Sequence, residues 1–289
     1  RHAAYMAICA CGPNSAVLHY GHGGAPNDRT LQPTYMALLD MGAEYHGYCS
    51  DITCSFPMDG TFSADQRAMF EGVLNAQRAV MALMAPSVSW VDCHRAAECE
   101  IVQALLALCV LRDCGKSLEQ VLAADLCNTF MPHGLGHFIG CDTHDVGGYN
   151  PAASPGPAPA RLPGFGVGKL RTSRVLAAGM VLTNEPGCYF IDALLDAALA
   201  DPAKAPFFDA QVLSRFHGTG GVRLKDVVLV TESGSENLTT CPRTVAKIES
   251  VCAGGAWLPA VVACPELLRR RTKLSAGGAG MENVHVPSV

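Results

Sequence analysis

Asp40 and Asp51 stand on either side of Glu44-Tyr45-His46-Gly47, a polar segment between two apolar runs that reads as a hairpin loop. With residues 44–47 as the loop, 43 pairs with 48 and 40 with 51, and both carboxylates share one face. Two carboxylates so placed are costly without a cation between them, although an Asp at a strand end is often just a solvated turn residue. The run from Met131 to His144 puts His133, His137 and His144 in a glycine-rich apolar strip, where the backbone can approach closely and imidazoles can act on ligands or protons. Thr183-Asn184-Glu185-Pro186-Gly187 ends an apolar run with a carboxylate before a rigid turn. Gly220-Gly221-Val222-Arg223-Leu224-Lys225 opens another strand, with Arg223 and Lys225 on the same face. Each segment alone reads as ordinary strand punctuation; it is their sum that points to chemistry.

The elements that must position these residues follow from periodicity. Apolar, β-forming runs at 4–9, 15–19, 35–40 and 48–56 predict strands. At Ser63 the period changes: Ser63-Ala-Asp-Gln66 is a capping box, and Met69, Val73, Ala76, Val80 and Met84 follow at helical spacing up to Pro86. A second helix is expected over 92–111 and a third from the capping box Ser117-Leu-Glu-Gln120. Strands return at 137–141, 180–190 and 222–231. The Pro/Ala/Gly-rich stretch 150–168 reads as a surface insertion or lid. Sheet, helices and sheet in that order predict an α+β fold of two similar halves over residues 1–250, followed by a poorly ordered tail over 251–289.

Composition narrows the function classes. A chain of 289 residues, 49% hydrophobic and 16% charged, can bury a real core. A net charge of −5 offers no basic footprint for nucleic acid or an anionic membrane, so a small or neutral partner is expected. No run reaches the roughly 18 apolar residues of a membrane helix, and no signal segment opens the chain, so it reads as soluble and cytoplasmic. Fourteen cysteines without C-x-x-C spacing read as reduced thiols. The chain opens on Arg1, directly in a strand-like run, so upstream residues are expected to be missing.

The string from His19 to Arg29, the Asp40–Asp51 spacing, the His-Gly-Leu-Gly-His run, Asn-Glu185-Pro-Gly and Gly-Val-Arg223 resemble, in order, the motifs of the pita-bread metallopeptidases, and specifically of their Xaa-Pro dipeptidase (prolidase) branch. The resemblance covers about residues 1–250. It implies the pita-bread fold and hydrolysis of dipeptides with a C-terminal proline by two divalent ions, usually manganese, that share a hydroxide. Carried over by position, it implies that Asp40 chelates one ion, Asp51 bridges both, and His137 and Glu185 complete the other. Such a nitrogen and oxygen ligand set fits a hard or borderline ion such as Mn2+. It further implies Glu185 as proton shuttle, His144 as the group steadying the reacting atoms, and His19, His144, Arg171 and Arg223 as substrate contacts. Arg171 is expected to meet the dipeptide carboxylate. A homodimer is left open.

Two departures qualify the expectation. The family's second bridging Glu falls on Lys225, and Asp226 cannot replace it because successive strand residues face opposite sides. At most one ion is therefore expected, beside an ammonium. Members of the family are also longer at the N-terminus, so the first-half sheet should lack helical cover and expose apolar surface. Three readings follow: an impaired prolidase-like hydrolase, a catalytically dead protein that still binds proline-containing peptides, or an incomplete product without a stable fold.

Overall fold

The structure is a computed structural model describing residues 2–21, 29–150, 159–163 and 166–257. Most of the 251–289 tail, residues 22–28 of the string after His19, and 151–158 and 164–165 of the Pro/Ala/Gly-rich stretch lie outside the described residues. The chain opens with short antiparallel strands: β1 (His2–Ala3), β2 (Ile8–Cys11), β3 (Met36–Met41), β4 (Ala43–Tyr45), β5 (Tyr48–Cys49) and β6 (Ile52–Pro57). They form two three-stranded sheets, ordered β2-β3-β6 and β1-β4-β5. Residues 15–19, expected as a strand, instead continue from a 3-10 turn at Gly12–Ala16, where Pro13 supplies the helical φ.

The hairpin is tighter than its sequence suggests. His46 and Gly47 take φ of 51° and 82°, the left-handed values that a two-residue type I′ loop requires. Tyr45 therefore pairs with Tyr48, Glu44 with Cys49 and Asp40 with Thr53, so the expected pairing of 40 with 51 does not form. The shift is by two residues, which preserves parity. Asp40 and Asp51 remain on one face as diagonal neighbours.

Two long helices follow, α1 (Ala64–Leu83) and α2 (Trp90–Ala107). Ser63 caps α1 reciprocally with Gln66, as the sequence predicts. Phe70, Val73 and Val80 of α1 and Ala97, Ile101 and Leu105 of α2 are buried in one apolar cluster with Leu182, Val222 and Val228. Short helices α3 (Leu118–Ala123) and α4 (Cys127–Phe130) lead into the second-half strands β7 (Val181–Asn184) and β8 (Gly187–Tyr189). Helices α5 (Asp192–Ala200) and α6 (Ala210–Leu213) precede β9 (Gly221–Arg223), β10 (Asp226–Val230), β11 (Ser235–Asn237) and α7 (Val245–Cys252). β11, β10 and β7 form one sheet in that order, and β8 pairs with β9. Residues 137–141 do not form the expected strand; Phe138 makes an isolated bridge to Leu182.

The two halves meet at a bridge between Thr53 and Lys225, whose amides and carbonyls exchange hydrogen bonds of 3.1 and 3.2 Å. Arg243 clamps this junction by donating to Thr53 O and Lys225 O, both at 2.8 Å, while its Nε donates to Asp226 Oδ1 at 2.9 Å. Alternate residues of the β2-β3-β6 sheet, namely Cys9, Leu39, Met41, Ile52, Cys54 and Phe56, stay partly or fully exposed. Among the described residues, no helix is long and apolar enough to cross a membrane.

Candidate functional site

Asp40, Asp51, His137, Glu185 and Lys225 come from five segments and converge where the two half-sheets join. β3 supplies Asp40, the turn before β6 supplies Asp51, and the residue before β10 is Lys225; all three are buried. His137 is held against β7 by two hydrogen bonds: its N–H donates to Thr183 Oγ1 at 3.0 Å, and its carbonyl accepts from Thr183 N–H at 2.8 Å. The Thr183 hydroxyl in turn donates to Glu185 Oε1 at 2.9 Å, and the Glu185 amide to Leu135 O at the same distance.

This close approach explains a glycine of the His-Gly-Leu-Gly-His run. A Cβ on Gly136 would lie 1.9 Å from Thr183 O. Gly136→Ala must push the His137 segment off β7, and we expect it to cost about 3 kcal/mol, the upper end for overpacking, read as a lowered thermal midpoint.

Asp51 and Glu185 divide their oxygens between two cations. His137 Nε2 lies 3.2 Å from Asp51 Oδ2 and 3.3 Å from Glu185 Oε1. Lys225 Nζ lies 2.7 Å from Asp51 Oδ1, 3.2 Å from Asp40 Oδ2 and 3.6 Å from Glu185 Oε2. Asp40 is fully engaged by protein donors: Arg223 Nη2 reaches Oδ2 at 2.7 Å, and the Tyr5 hydroxyl lies 2.5 Å from Oδ1 and 2.7 Å from Asp51 Oδ1.

Burial by itself would raise the carboxyl pKa values. The contacts with His137 and Lys225 outweigh it, holding Asp51 down to about 2 and Glu185 well below the usual carboxylate range. Conversely, burial would lower His137 and Lys225; the carboxylates lift the imidazole to about 9 and hold the ammonium charged.

These contacts bear on metal binding differently at the two positions. His137 Nδ1 is 2.9 Å from Phe138 O, which can only accept, so Nδ1 carries a proton and Nε2 faces the carboxylates. Nε2 is buried and, despite its short distances to two carboxylates, makes no aligned hydrogen bond. A nitrogen set between Asp51 Oδ2 and Glu185 Oε1 at 3.2 and 3.3 Å matches adjacent ligands about 2.1 Å from an ion, which lie ~3.0 Å apart at right angles. The position beside Asp40 does not fit an ion while Lys225 Nζ stands in it, 3.2 Å from Asp40 Oδ2. Among the described residues, no group of three or more His, Cys, Asp or Glu is arranged to hold a metal.

The cluster floors a cavity of about 590 Å³, within the range of small-ligand sites. His19, His144, Arg171 and Arg223 all line it. The His144 ring meets His137 edge-on at 4.3 Å, and burial, His137 and Arg171 lower it to about 4. Arg171 and His144 also border a smaller adjoining cavity of about 290 Å³. Arg223 is less available than a substrate contact requires: besides Asp40, it donates to Tyr189 Oη at 2.9 Å, Thr53 Oγ1 at 3.2 Å and Leu18 O at 3.4 Å. It fastens Asp40 rather than reaching for a ligand. Asp226 is turned away to Arg243 and Asn237, as strand alternation predicts.

Sequence reasoning missed two site residues, Tyr5 and Tyr189, and named His133 without its partner. The Tyr5 hydroxyl joins Asp40 to Asp51. Tyr189 accepts from Arg223 and lies 3.1 Å from His133 Nε2, while His133 Nδ1 is 2.8 Å from Gly134 O. Since that carbonyl only accepts, His133 is protonated at Nδ1 and accepts the Tyr189 proton at Nε2; burial keeps it neutral, with a pKa down at about 4.

Comparison with known proteins places these features in context. The signature of metallopeptidase family M24 matches residues 1–232. The chain is 54% identical over 254 residues to human Xaa-Pro dipeptidase, 52% identical over 254 residues to the mouse protein, and 39% identical over 258 residues to a probable Xaa-Pro aminopeptidase pepP of Aspergillus clavatus. Each match takes in 88% of this chain and 50 to 52% of the relative, so the chain spans about half the length of the curated relatives it matches. Among solved structures it resembles aminopeptidase PepP of Pseudomonas aeruginosa, with a TM-score of 0.68 and 32% identity over 88% of this chain and 48% of that one. Zn-substituted Escherichia coli aminopeptidase P in complex with product gives a TM-score of 0.67 at 29% identity, with the same coverage.

Proposed function

The chain belongs to metallopeptidase family M24 and has its pita-bread fold, and from that premise we propose that its cavity takes dipeptides with a C-terminal proline, with at most one divalent ion and Lys225 in place of a second. The observation that carries this reading is the ammonium itself, bracketed at 2.7, 3.2 and 3.6 Å by Asp51, Asp40 and Glu185. The Xaa-Pro dipeptidases among its relatives support the substrate class.

The remaining ion would be held by Asp51 Oδ2, His137 Nε2 and Glu185 Oε1, and manganese suits this hard and borderline donor set. The chemistry such an ion supplies when bound is Lewis acidity toward a water and a carbonyl. The protein side chains do the rest. Arg171, on the cavity wall, is set to pair with the dipeptide carboxylate, while His19 and His144 line the space beside the scissile bond. Glu185 is the carboxylate placed to accept a proton, but Lys225 and His137 hold its pKa low and make it a weak base. Peptide binding should therefore outlast turnover, and Gly-Pro cleavage by this chain should be undetectable. The ammonium equally favours the second reading, a protein that binds proline-containing peptides and does not cleave them.

Arg171→Met provides the test for substrate class. Loss of a charge-assisted contact to a carboxylate is worth about 1.5–3 kcal/mol, so the Kd for Gly-Pro measured calorimetrically should rise roughly 10- to 100-fold. The thermal midpoint should stay unchanged. Equal Gly-Pro affinity in both proteins would remove the carboxylate role and with it the dipeptide preference.

A further inference from the structure

The Thr53–Lys225 junction carries a thiol pair on its far side. On β6, Asp51, Thr53 and Ser55 are buried toward the site, while Ile52, Cys54 and Phe56 occupy the half-buried alternate positions. The segment after β11 runs back across this face. Thr239 Oγ1 accepts from Val227 N–H at 2.9 Å, and two residues beyond Cys241 the Arg243 guanidinium donates to Thr53 O and Lys225 O. Clamped at both ends, the segment sets the Cys241 thiol beside that of Cys54, and both are free thiols of intermediate exposure.

We propose that Cys54 and Cys241 are a modification site, a dithiol that small hydroperoxides oxidise reversibly to a disulfide across the back of the two-half junction. The two sulfurs have different roles. The neighbouring Cys54 thiol lowers Cys241 to about 7, against burial and with help from Arg243, so much of it is thiolate at neutral pH. The same pairing and burial push Cys54 up, so it stays a thiol. The Cys241 thiolate attacks the terminal oxygen of the hydroperoxide; the O–O bond breaks, and the departing alkoxide or hydroxide takes up a proton as alcohol or water. This leaves Cys241 as the sulfenic acid. Cys54 then attacks Cys241 Sγ and loses its proton, the S–O bond breaks, water leaves and the S–S bond forms. Two thiols lose two electrons and the peroxide gains them. A small thiol reductant reverses the change by exchange. The inference does not depend on the peptide-binding reading.

The test uses the whole chain. It is treated with a small excess of hydrogen peroxide, its remaining thiols are alkylated under denaturing conditions, and unreduced peptides are mapped by mass spectrometry. The expected result is parallel loss of alkylation at Cys54 and Cys241, a linked peptide joining them, and recovery of both with dithiothreitol. In Cys54→Ser, Cys241 should trap a dimedone label; in Cys241→Ser, Cys54 should remain fully alkylatable. The exposed Cys9, Cys109, Cys114, Cys141 and Cys252 serve as internal comparison. If those are oxidised while Cys54 and Cys241 of the wild-type chain keep their full alkylation, or if Cys241 is found linked to another cysteine, the proposal is overturned.

Discussion

Lys225→Glu is expected to raise the number of bound divalent ions from at most one to two per chain and to bring Gly-Pro hydrolysis up by at least about three orders of magnitude. The reasoning rests on charge. A unit charge about 4 Å from another is worth ~4 kcal/mol at an effective dielectric near 20, or about a thousandfold in occupancy, and the substitution changes the local charge by two units. Lys225 Nζ already sits 2.7 Å from Asp51 and 3.2 Å from Asp40, inside that distance. Replacing it by a carboxylate removes one of the two donors on Asp51 Oδ1, adds a ligand on the same strand position and relieves the pull that keeps Glu185 a weak base. Manganese titration followed by a Gly-Pro assay reads both effects. A variant that folds, gains no second ion and stays inactive would refute the charge argument.

Lys225→Met should have the other large effect, on stability. Without the ammonium, Asp51 and Glu185 keep only His137 as a cationic neighbour, and Asp40 keeps Arg223 and the Tyr5 hydroxyl. Breaking a buried charge network by removing one partner costs about 3–5 kcal/mol, and at about 2–4 °C per kcal/mol the midpoint in chelator should fall by roughly 10 °C. Manganese or zinc should recover most of that loss in the variant and little in the wild type, because a divalent ion supplies the charge that Lys225 supplied. Equal stabilisation of both proteins by metal would mean that the ammonium and the ion do not compete.

The chemistry of the site was more legible in the sequence than its scaffolding. Asp40 and Asp51 could be put on one face although their register was misjudged, because a tighter turn moved the partner of Asp40 by two residues and side chains alternate with period two. Capping boxes at Ser63 and Ser117 announced α1 and α3, since a cap is written within four residues. Tyr5 and Tyr189 could not be found that way. Their partners lie 35 and 46 residues from Tyr5, and 34 from Tyr189, in sequence, and nothing local marks an aromatic that will hold a carboxylate or a guanidinium. Arg223 was read as a substrate contact from the family resemblance, whereas burial of β9 sets its donors on Asp40, Tyr189 and Thr53. Residues 137–141 looked extended and apolar, yet the His137 amide bonds the Thr183 hydroxyl instead of its carbonyl and the Gly140 amide turns to Asp142 O, which leaves one bridge to β7.

We propose that the Lys225 ammonium occupies the place of one of two metal ions. Its most direct test is the metal content of the wild-type chain after equilibrium dialysis against manganese and, separately, zinc, read by elemental mass spectrometry at known protein concentration. One ion or fewer per chain is expected for both metals; two tightly held ions per chain would contradict this.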